Sequence, residues 1–207
     1  MRPRMFAALA PGARETILDQ LADFLRLIHA LPPAIIAQDD GVIAQEWTGA
    51  EWRARWLAER RAAVAPVVDA ALLRRMDRFY DHFAAAPAPP REVLTHGDLS
   101  DDHILVSPRE GRLAGLIDFG DACLGDPAYD LTFFFAYGDA AARRVAGRYD
   151  PRGADATLLD RARMQYARFR VEQLRRAQAF PEQTAELLPQ LPPLLDVILG
   201  APAPSPR

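Results

Sequence analysis

A proline-rich break at residues 87–90, which reads PAPP, separates two parts of the chain with different hydrophobic patterns. Proline lacks a backbone N–H and disrupts helices, so this segment is predicted to be a connector. Before the break, apolar residues recur at helical spacing. After it come short runs rich in Val, Ile and Leu, which are typical of strands. This order of patterns predicts an α+β fold that is mainly helical.

The first clear helix is predicted over residues 15–31, where apolar side chains fall on one helical face. The prolines at 32–33 should end it. His29 lies beside the apolar face, and nothing titratable is arranged around it. We therefore predict a packing or surface role for His29 rather than a chemical one.

The next helix is predicted to begin at Thr48. Thr48 and Glu51 have the spacing of a capping box, and Trp47 and Trp52 stand at the positions of a hydrophobic staple. Trp52 and Trp56 are four residues apart, so they would lie along one helical face. We expect both to be core aromatic residues.

Further helices are predicted over residues 66–83, 127–137 and 156–180. The last of these is rich in arginine and glutamine, and its charges are expected to form a solvated face. A leucine-rich segment broken by prolines follows at 187–199. The tail at 201–207 is expected to be disordered.

Composition excludes several function classes. The single cysteine, Cys123, rules out a disulfide within the chain and a multi-cysteine metal site. A net charge of -3 without a basic block argues against nucleic-acid binding. No apolar run approaches the roughly 18 residues of a membrane span, and no signal-peptide core follows Met1, which predicts a cytoplasmic protein. All 25 basic residues are arginine, which excludes a Walker lysine and a kinase-type phosphate-binding lysine from these 207 residues.

The candidate catalytic and metal-binding residues are concentrated in the middle of the chain. Short strands are predicted at 93–95, 104–107 and 113–119, and a turn at 108–112 joins the last two into a hairpin. Seven carboxylates stand against two arginines between positions 98 and 126. Such a concentration costs stability through repulsion, and it suits a divalent cation or a cationic substrate.

Three side chains of this region are expected to meet. Asp98 follows the first strand, His103 stands where the second begins, and Asp118 ends the third, just before Gly120. The open end of the hairpin would bring His103 and Asp118 together, with Asp98 across from them. A base, two metal ligands and a glycine that lets backbone come close are parts that phosphoryl transfer uses.

Residues 96–106 read HGDLSDDHILV, and residues 115–131 read GLIDFGDACLGDPAYDL. This combination resembles the superfamily of aminoglycoside phosphotransferases and choline kinases, the small-molecule relatives of protein kinases. The segment at 24–32, FLRLIHALP, also resembles the one that follows the hinge in that family. The resemblance implies the C-terminal lobe of a protein-kinase-like fold, with a small β-hairpin that carries the catalytic and metal-binding loops.

The resemblance also implies roles for single residues. Asp98 corresponds to the catalytic-loop aspartate, which accepts a hydrogen bond from the substrate hydroxyl and takes its proton. Asp118 corresponds to the aspartate of the DFG-like motif, which holds Mg²⁺ against the phosphates of ATP or GTP. His96 corresponds to the histidine that braces the catalytic loop. Asp130 corresponds to the aspartate that ties this loop down by accepting backbone N–H bonds.

Three further positions follow from the same resemblance. Leu105 and Ile117 match apolar positions that form the floor under the nucleotide base. His103 stands where most relatives carry a metal-binding asparagine, a residue type that this chain does not contain. Some aminoglycoside and macrolide kinases have histidine there, so the resemblance makes His103 a metal ligand beside Asp118. It also favours an antibiotic-like or related hydroxylated acceptor.

The family has an N-terminal β-rich lobe that carries a phosphate-binding loop and a lysine, and this sequence has neither. We therefore expect residues 1–200 to form a single C-terminal lobe. Its helical part would be 1–90, its catalytic segment 91–135 and its C-terminal helices 136–200. The N-terminal lobe would be absent from the chain, and would lie upstream or on a partner chain.

The predicted function is transfer of the γ-phosphate of ATP or GTP, with Mg²⁺, to a hydroxyl of a small molecule, such as an aminoglycoside- or macrolide-like antibiotic. The acidic cluster would suit a cationic acceptor. Two alternatives stay open. One is a non-catalytic remnant or binding module, and the other is a metal-dependent phosphohydrolase with His96, Asp98, His103 and Asp118 as ligands. The sequence does not identify the acceptor, distinguish ATP from GTP or give the oligomeric state.

Overall fold

The computed structural model describes residues 1–32, the backbone of 43–44, and residues 48–200. Within these ranges the chain is mainly helical with short strands, which confirms the predicted α+β class. The predicted staple residue Trp47 and the predicted disordered tail at 201–207 lie outside the described residues. Over the described ranges, the length and hydropathy of each helix fall short of what crossing a membrane requires.

The α-helices are α1 (Pro3–Ala8), α2 (Pro11–Ile28), α3 (Gly49–Arg55), α4 (Arg61–Val64), α5 (Ala70–Ala84), α6 (Ala128–Leu131), α7 (Asp139–Tyr149), α8 (Leu158–Ala177), α9 (Pro181–Leu187) and α10 (Leu191–Leu199). Short stretches of 3-10 helix lie at Ala65–Val67, Thr132–Tyr137 and Leu188–Gln190, and a π-helical turn lies at Trp56–Arg60. The strands are β1 (Ile43–Ala44), β2 (Val93–Thr95), β3 (Ile104–Ser107), β4 (Arg112–Leu116) and β5 (Cys123–Gly125).

The described residues divide into two compact units. The first unit takes in those between positions 1 and 46 and between 88 and 162. The second takes in those between 47 and 87 and from 163 onward. Each unit has its own apolar core, so each is described by itself.

The core of the first unit is built on α2. The apolar face predicted over 15–31 is its buried face, formed by Ile17, Leu18, Leu21 and Leu25. The helix begins at Pro11, earlier than predicted, because proline is favoured in the first turn, where its missing N–H has no helical partner in any case. These side chains belong to one cluster with Phe134 and with apolar residues of α7.

The segment that contains the candidate site residues includes strands of two small sheets in the first unit. β5 lies between β1, to which it runs parallel, and β2, to which it runs antiparallel. β3 and β4 form the predicted antiparallel hairpin, with Ile104 opposite Leu116 and Leu105 opposite Gly115. The sequence patterns did not predict β5, since its three residues lack the β-branched side chains that mark a strand.

The prediction of a strand that runs on to Phe119 is wrong. β4 ends at Leu116, and Asp118 has a φ of 64°. This left-handed conformation does not continue a strand. Asp118 therefore lies in a loop beyond the hairpin rather than at the end of its second strand.

The second unit packs around aromatic residues. Trp56 is fully buried and stacks on Tyr80, with ring centroids 4.7 Å apart, which confirms the core role of Trp56. α3 begins with the predicted capping box. The N–H of Glu51 donates to Thr48 Oγ1 at 3.3 Å, and the N–H of Thr48 donates to Glu51 Oε2 at 2.6 Å.

The prediction that the charges of the 156–180 helix form a solvated face is wrong. The polar side chains that α8 buries are those of Arg161, Arg163, Gln165, Arg168 and Glu172. In the first unit, Arg161 forms ion pairs with Asp126 and with Asp155, each at 2.7 Å. Both partners come from loops outside the helix, so the periodicity of the helix could not reveal them. The leucine-rich segment at 187–199 is helical, because its prolines fall in first turns.

Candidate active site

The loop that joins β2 to β3 carries the candidate base, Asp98. The carboxylate of Asp98 is 51% exposed. Its neighbour Leu99 is buried in the apolar core of the first unit. At the end of the loop, the N–H of His103 donates to the carbonyl of Ser100 at 3.2 Å. The loop therefore presents Asp98 to solvent from an anchored backbone.

His103 lies between the two candidate carboxylates. Its Nδ1 is 3.6 Å from Asp98 Oδ2, and its Nε2 is 3.4 Å from Asp118 Oδ2. The Nδ1–H donates to the backbone carbonyl of Asp98 at 2.7 Å, so Nε2 is the ring nitrogen that faces Asp118. This hydrogen bond, together with the charges of the nearby aspartates, raises the pKa of His103 above its ordinary value. The structure thus brings Asp98, His103 and Asp118 together.

Asp118 holds its position through an uncommon backbone conformation. Its φ of 64° falls in the left-handed region, which costs most residues about 1–2 kcal/mol and which aspartate tolerates better than most. The N–H of Gly120 donates to Asp118 Oδ1 at 3.4 Å. The other oxygen, Oδ2, is the one that faces His103. Backbone strain of this kind is typical of functional sites.

His96 is buried and joins the two loops of the site. Its Nε2–H donates to the carbonyl of Ile117 at 3.0 Å, and its Nδ1 accepts the N–H of Asp98 at 3.4 Å. The ring of Phe119 lies 4.4 Å from the ring of His96. Both imidazole nitrogens of His96 are therefore engaged within the protein.

Asp130, on α6, holds the backbone of the loop at its start. The resemblance implies that its carboxylate accepts backbone N–H bonds there. In the structure, Oδ2 accepts the N–H of His96 at 2.7 Å and Oδ1 accepts the N–H of Gly97 at 3.1 Å. Gly97 has a φ of 82°, and a Cβ on it would lie 1.9 Å from the carbonyl oxygen of Asp121. Only glycine suits that position.

Sequence reasoning missed a second contact of this aspartate. His29 is buried, which confirms a packing role, but the expectation that nothing titratable surrounds it is wrong. Its Nε2–H donates to Asp130 Oδ2 at 3.0 Å, and its Nδ1 accepts the hydroxyl of Tyr149 at 2.9 Å. Since Asp130 stands 101 residues along the chain, no local signal could have found this pair.

Leu105 and Ile117 lie on the outer face of the β3–β4 hairpin. Leu105 is opposite Gly115, and the N–H of Ile117 donates to the carbonyl of His103, which extends the strand pairing by one step. Both side chains therefore point away from buried Ile104. Leu105 is 43% exposed and Ile117 is 46% exposed, so this face offers an uncovered apolar surface beside a residue without a side chain.

Two of the predicted ligands can contribute to a metal site. In the part of the chain that the structure describes, no group of three or more His, Cys, Asp or Glu side chains is placed to hold a metal ion. Asp118 supplies the carboxylate oxygen that Mg²⁺ prefers, and His103 supplies a nitrogen more usual for softer ions. Of the two, Asp118 is therefore the residue whose chemistry matches Mg²⁺.

Comparison with known proteins gives matches to phosphotransferases. Residues 2–165 match the model of the phosphotransferase enzyme family. The chain is 33% identical over 130 residues to an aminoglycoside 3'-phosphotransferase of Escherichia coli, a match that covers 58% of this chain and 42% of the relative. It is also 33% identical over 87 residues to the uncharacterized protein YcbJ of Bacillus subtilis. That match covers 42% of this chain and 28% of YcbJ. The chain thus spans less than half the length of these curated relatives.

Solved structures show the same likeness over a longer stretch. The GDP complex of a mutant aminoglycoside 2'-phosphotransferase of type IIIa superimposes with a TM-score of 0.77 at 25% identity, covering 97% of this chain and 67% of that one. A type I macrolide 2'-phosphotransferase superimposes with a TM-score of 0.58 at 24% identity, covering 85% of this chain and 58% of that one. The second likeness shows the fold alone.

Proposed function

The chain belongs to the phosphotransferase enzyme family, and on that premise we propose that it acts as a small-molecule kinase, transferring the γ-phosphate of a nucleotide to a hydroxyl group. The observation that carries the proposal is the position of the His103 ring between the carboxylates of Asp98 and Asp118. This arrangement supports a base on one side of the imidazole and a metal ligand on the other, as phosphoryl transfer requires.

In this proposal Asp98 is the base. Its half-exposed carboxylate is open to a substrate hydroxyl, from which it would accept a hydrogen bond and then the proton as transfer proceeds. The backbone around it is held by Asp130 and by the ring of His96. Because this loop is held in place, little free energy is needed to orient the base for the reaction.

Asp118 would hold Mg²⁺ through a carboxylate oxygen, with His103 Nε2 as a second ligand. When bound, the ion would neutralise charge on the nucleotide phosphates. The pKa of His103 is raised, so Nε2 loses the proton that blocks metal binding at a higher pH than an ordinary imidazole does. The backbone conformation of Asp118 keeps its carboxylate aimed at that nitrogen.

The nucleotide base would cover the apolar face of the hairpin. Leu105, which lies opposite Gly115, and Ile117, two residues after it, are large apolar residues left exposed, and a planar base would remove them from water. The structural likeness to an aminoglycoside phosphotransferase in complex with GDP supports nucleotide binding. We propose both ATP and GTP as donors to be tested.

The proposed acceptor is a hydroxylated small molecule of the aminoglycoside or macrolide type. The support is the family, the E. coli aminoglycoside phosphotransferase and the carboxylate-rich segment at 98–126, which would attract a cationic acceptor. The structure gives no support to a phosphohydrolase that uses His96 as a metal ligand, because both ring nitrogens of His96 are already hydrogen-bonded.

The experiment that tests this function compares Asp98→Asn with Asp102→Asn. Asparagine cannot take the proton, so phosphate transfer from radiolabelled ATP or GTP should fall by about 10²-fold or more while nucleotide binding stays near its starting value. Asp102 lies in the same loop with a side chain 70% exposed and forms an exposed ion pair with Arg2 at 3.7 Å, so its replacement should change activity and binding far less than that of Asp98.

Two outcomes would contradict the proposed kinase activity or the role of Asp98 in it. If the Asp98→Asn chain still transfers phosphate at the original rate, Asp98 is not the base. If the unchanged chain binds nucleotide and transfers phosphate to no aminoglycoside, macrolide or related alcohol, the proposal of a kinase is overturned in favour of a binding module.

A further inference from the structure

A cavity outside the candidate active site lies in the first unit, beside the end of α2 and the loop that follows α7. Its volume is about 600 Å³, within the range of sites for small organic molecules. Its polar lining consists of Arg26, Arg91, Arg152, Tyr149, Asp150 and Asp155. Its apolar walls are the rings of three prolines, at positions 90, 127 and 151, and two alanines, at 30 and 154.

The two carboxylates of this cavity already have partners. Arg161 donates to Asp155 Oδ2 at 2.7 Å, and this ion pair holds the pKa of Asp155 below its usual value. Asp150 Oδ2 accepts the backbone N–H of Asp155 at 2.8 Å. Arg161 offsets the charge of Asp155, whereas the N–H bond leaves Asp150 charged. The lining therefore sets three guanidinium groups against two carboxylates, of which one is paired with Arg161.

The three arginines are less well satisfied. Among the residues that the structure describes, Arg152 has no carboxylate within 4.0 Å, and Arg26 reaches Asp23 only at 4.0 Å. Arg91 donates to the backbone carbonyl of His29 at 3.4 Å. Within the described part of the chain, then, none of the three guanidinium groups lies closer than 4.0 Å to a carboxylate.

We propose that this cavity binds a small organic oxyanion, a phosphate ester or a carboxylate. Arg91 and Arg152 would donate paired hydrogen bonds to the oxyanion, since the planar guanidinium matches the spacing of carboxylate and phosphate oxygens. The proline and alanine walls would cover the apolar body of the ligand. None of the candidate catalytic or metal-binding residues lines the cavity, so this site is separate from the one proposed for phosphate transfer.

The wall of the cavity is also connected to the catalytic loop. Tyr149 lines the cavity, and its hydroxyl donates a hydrogen bond to His29, which donates one in turn to Asp130. A ligand in the cavity would contact a side chain that is two hydrogen bonds away from Asp130. The proposal of an oxyanion site does not depend on this connection or on the proposed kinase activity.

Arginine footprinting of the full chain tests the proposal. Phenylglyoxal modifies exposed arginines, and mass spectrometry gives the rate at each position. At ten times its dissociation constant, phenyl phosphate or benzoate should slow the modification of Arg26, Arg91 and Arg152 by about tenfold. Arg109, exposed in the turn of the hairpin, is the matched control and should react at an unchanged rate.

Two variants make the result decisive. Arg152→Gln, in an exposed loop, should keep the helical circular dichroism and weaken the protection of Arg26 and Arg91. Asp98→Asn should leave the protection unchanged, so the oxyanion site is tested whether or not Asp98 is the base. The proposal is overturned if neither probe protects the three arginines, if Arg109 is protected equally, or if Asp98→Asn abolishes the protection.

Discussion

Replacement of Asp130 by asparagine tests whether one buried carboxylate shapes the catalytic loop. Asp130 is 1% exposed and accepts three hydrogen bonds, from the N–H groups of His96 and Gly97 and from the imidazole of His29. Asparagine has nearly the same shape, but it replaces one acceptor oxygen with an NH₂ group. At least one of the three donors must then face another donor.

The expected loss of unfolding free energy follows from these three bonds. One buried donor without an acceptor costs about 1–3 kcal/mol, and each of the two surviving bonds loses up to about 1 kcal/mol when its acceptor becomes neutral. Removing a buried charge recovers part of its desolvation cost, so we expect a net loss of about 3 kcal/mol. For a chain of this length that lowers Tm by roughly 6–12 °C.

Urea unfolding followed by circular dichroism measures the free energy, and hydrogen exchange measures the loop. The amides of His96 and Gly97 should exchange faster in Asp130→Asn. The control Asp102→Asn replaces a carboxylate that is 70% exposed and should change the unfolding free energy by less than about 0.5 kcal/mol. If Asp130→Asn unfolds at the same urea concentration as the unchanged chain, with both amides still protected, Asp130 does not hold the loop.

Gly97→Ala should abolish phosphate transfer, because the added Cβ would lie 1.9 Å from the carbonyl oxygen of Asp121, while the helix content should stay largely intact. A phosphate-transfer assay measures the first effect and circular dichroism the second. A variant that still transfers phosphate would contradict this prediction. His103→Asn should remove the pH dependence of Mn²⁺ binding between about pH 5 and 8, measured by electron paramagnetic resonance. The pKa of His103 is raised, so in the unchanged chain protons displace the ion as the pH falls through that pKa. Equal pH dependence in both chains would show that His103 is not a ligand.

Local signals predicted the elements that depend on local sequence. β2 and β3 have the predicted bounds, 93–95 and 104–107, because Val, Ile and Leu runs between turn residues identify strands directly. The capping box at Thr48 and Glu51 is formed as predicted, because both of its partners lie within one helical turn. His103 and Asp118 lie close together, as the predicted hairpin implies.

Local sequence signals did not predict the features that depend on residues distant in the chain. β5 exists because β1 and β2 pair with it, and neither is adjacent in sequence. Arg161 looked like a surface residue because Asp126 and Asp155, which pair with it, lie outside the helix. Asp118 reaches His103 through a left-handed residue rather than through a strand end, and hydrophobic periodicity does not report the sign of φ.

The contacts that shape the catalytic loop also bear on how the chain folds. Asp130 is separated by 34 residues from His96 and by 101 residues from His29, so the loop is held by partners that are distant in sequence. Closing such long loops carries an entropy cost that must be met before the contacts form, whereas helices such as α2 can form early from local interactions. Native geometry at Asp98 should therefore be among the last features to appear during refolding. A chain arrested before that step would have nearly full helix content and no working loop.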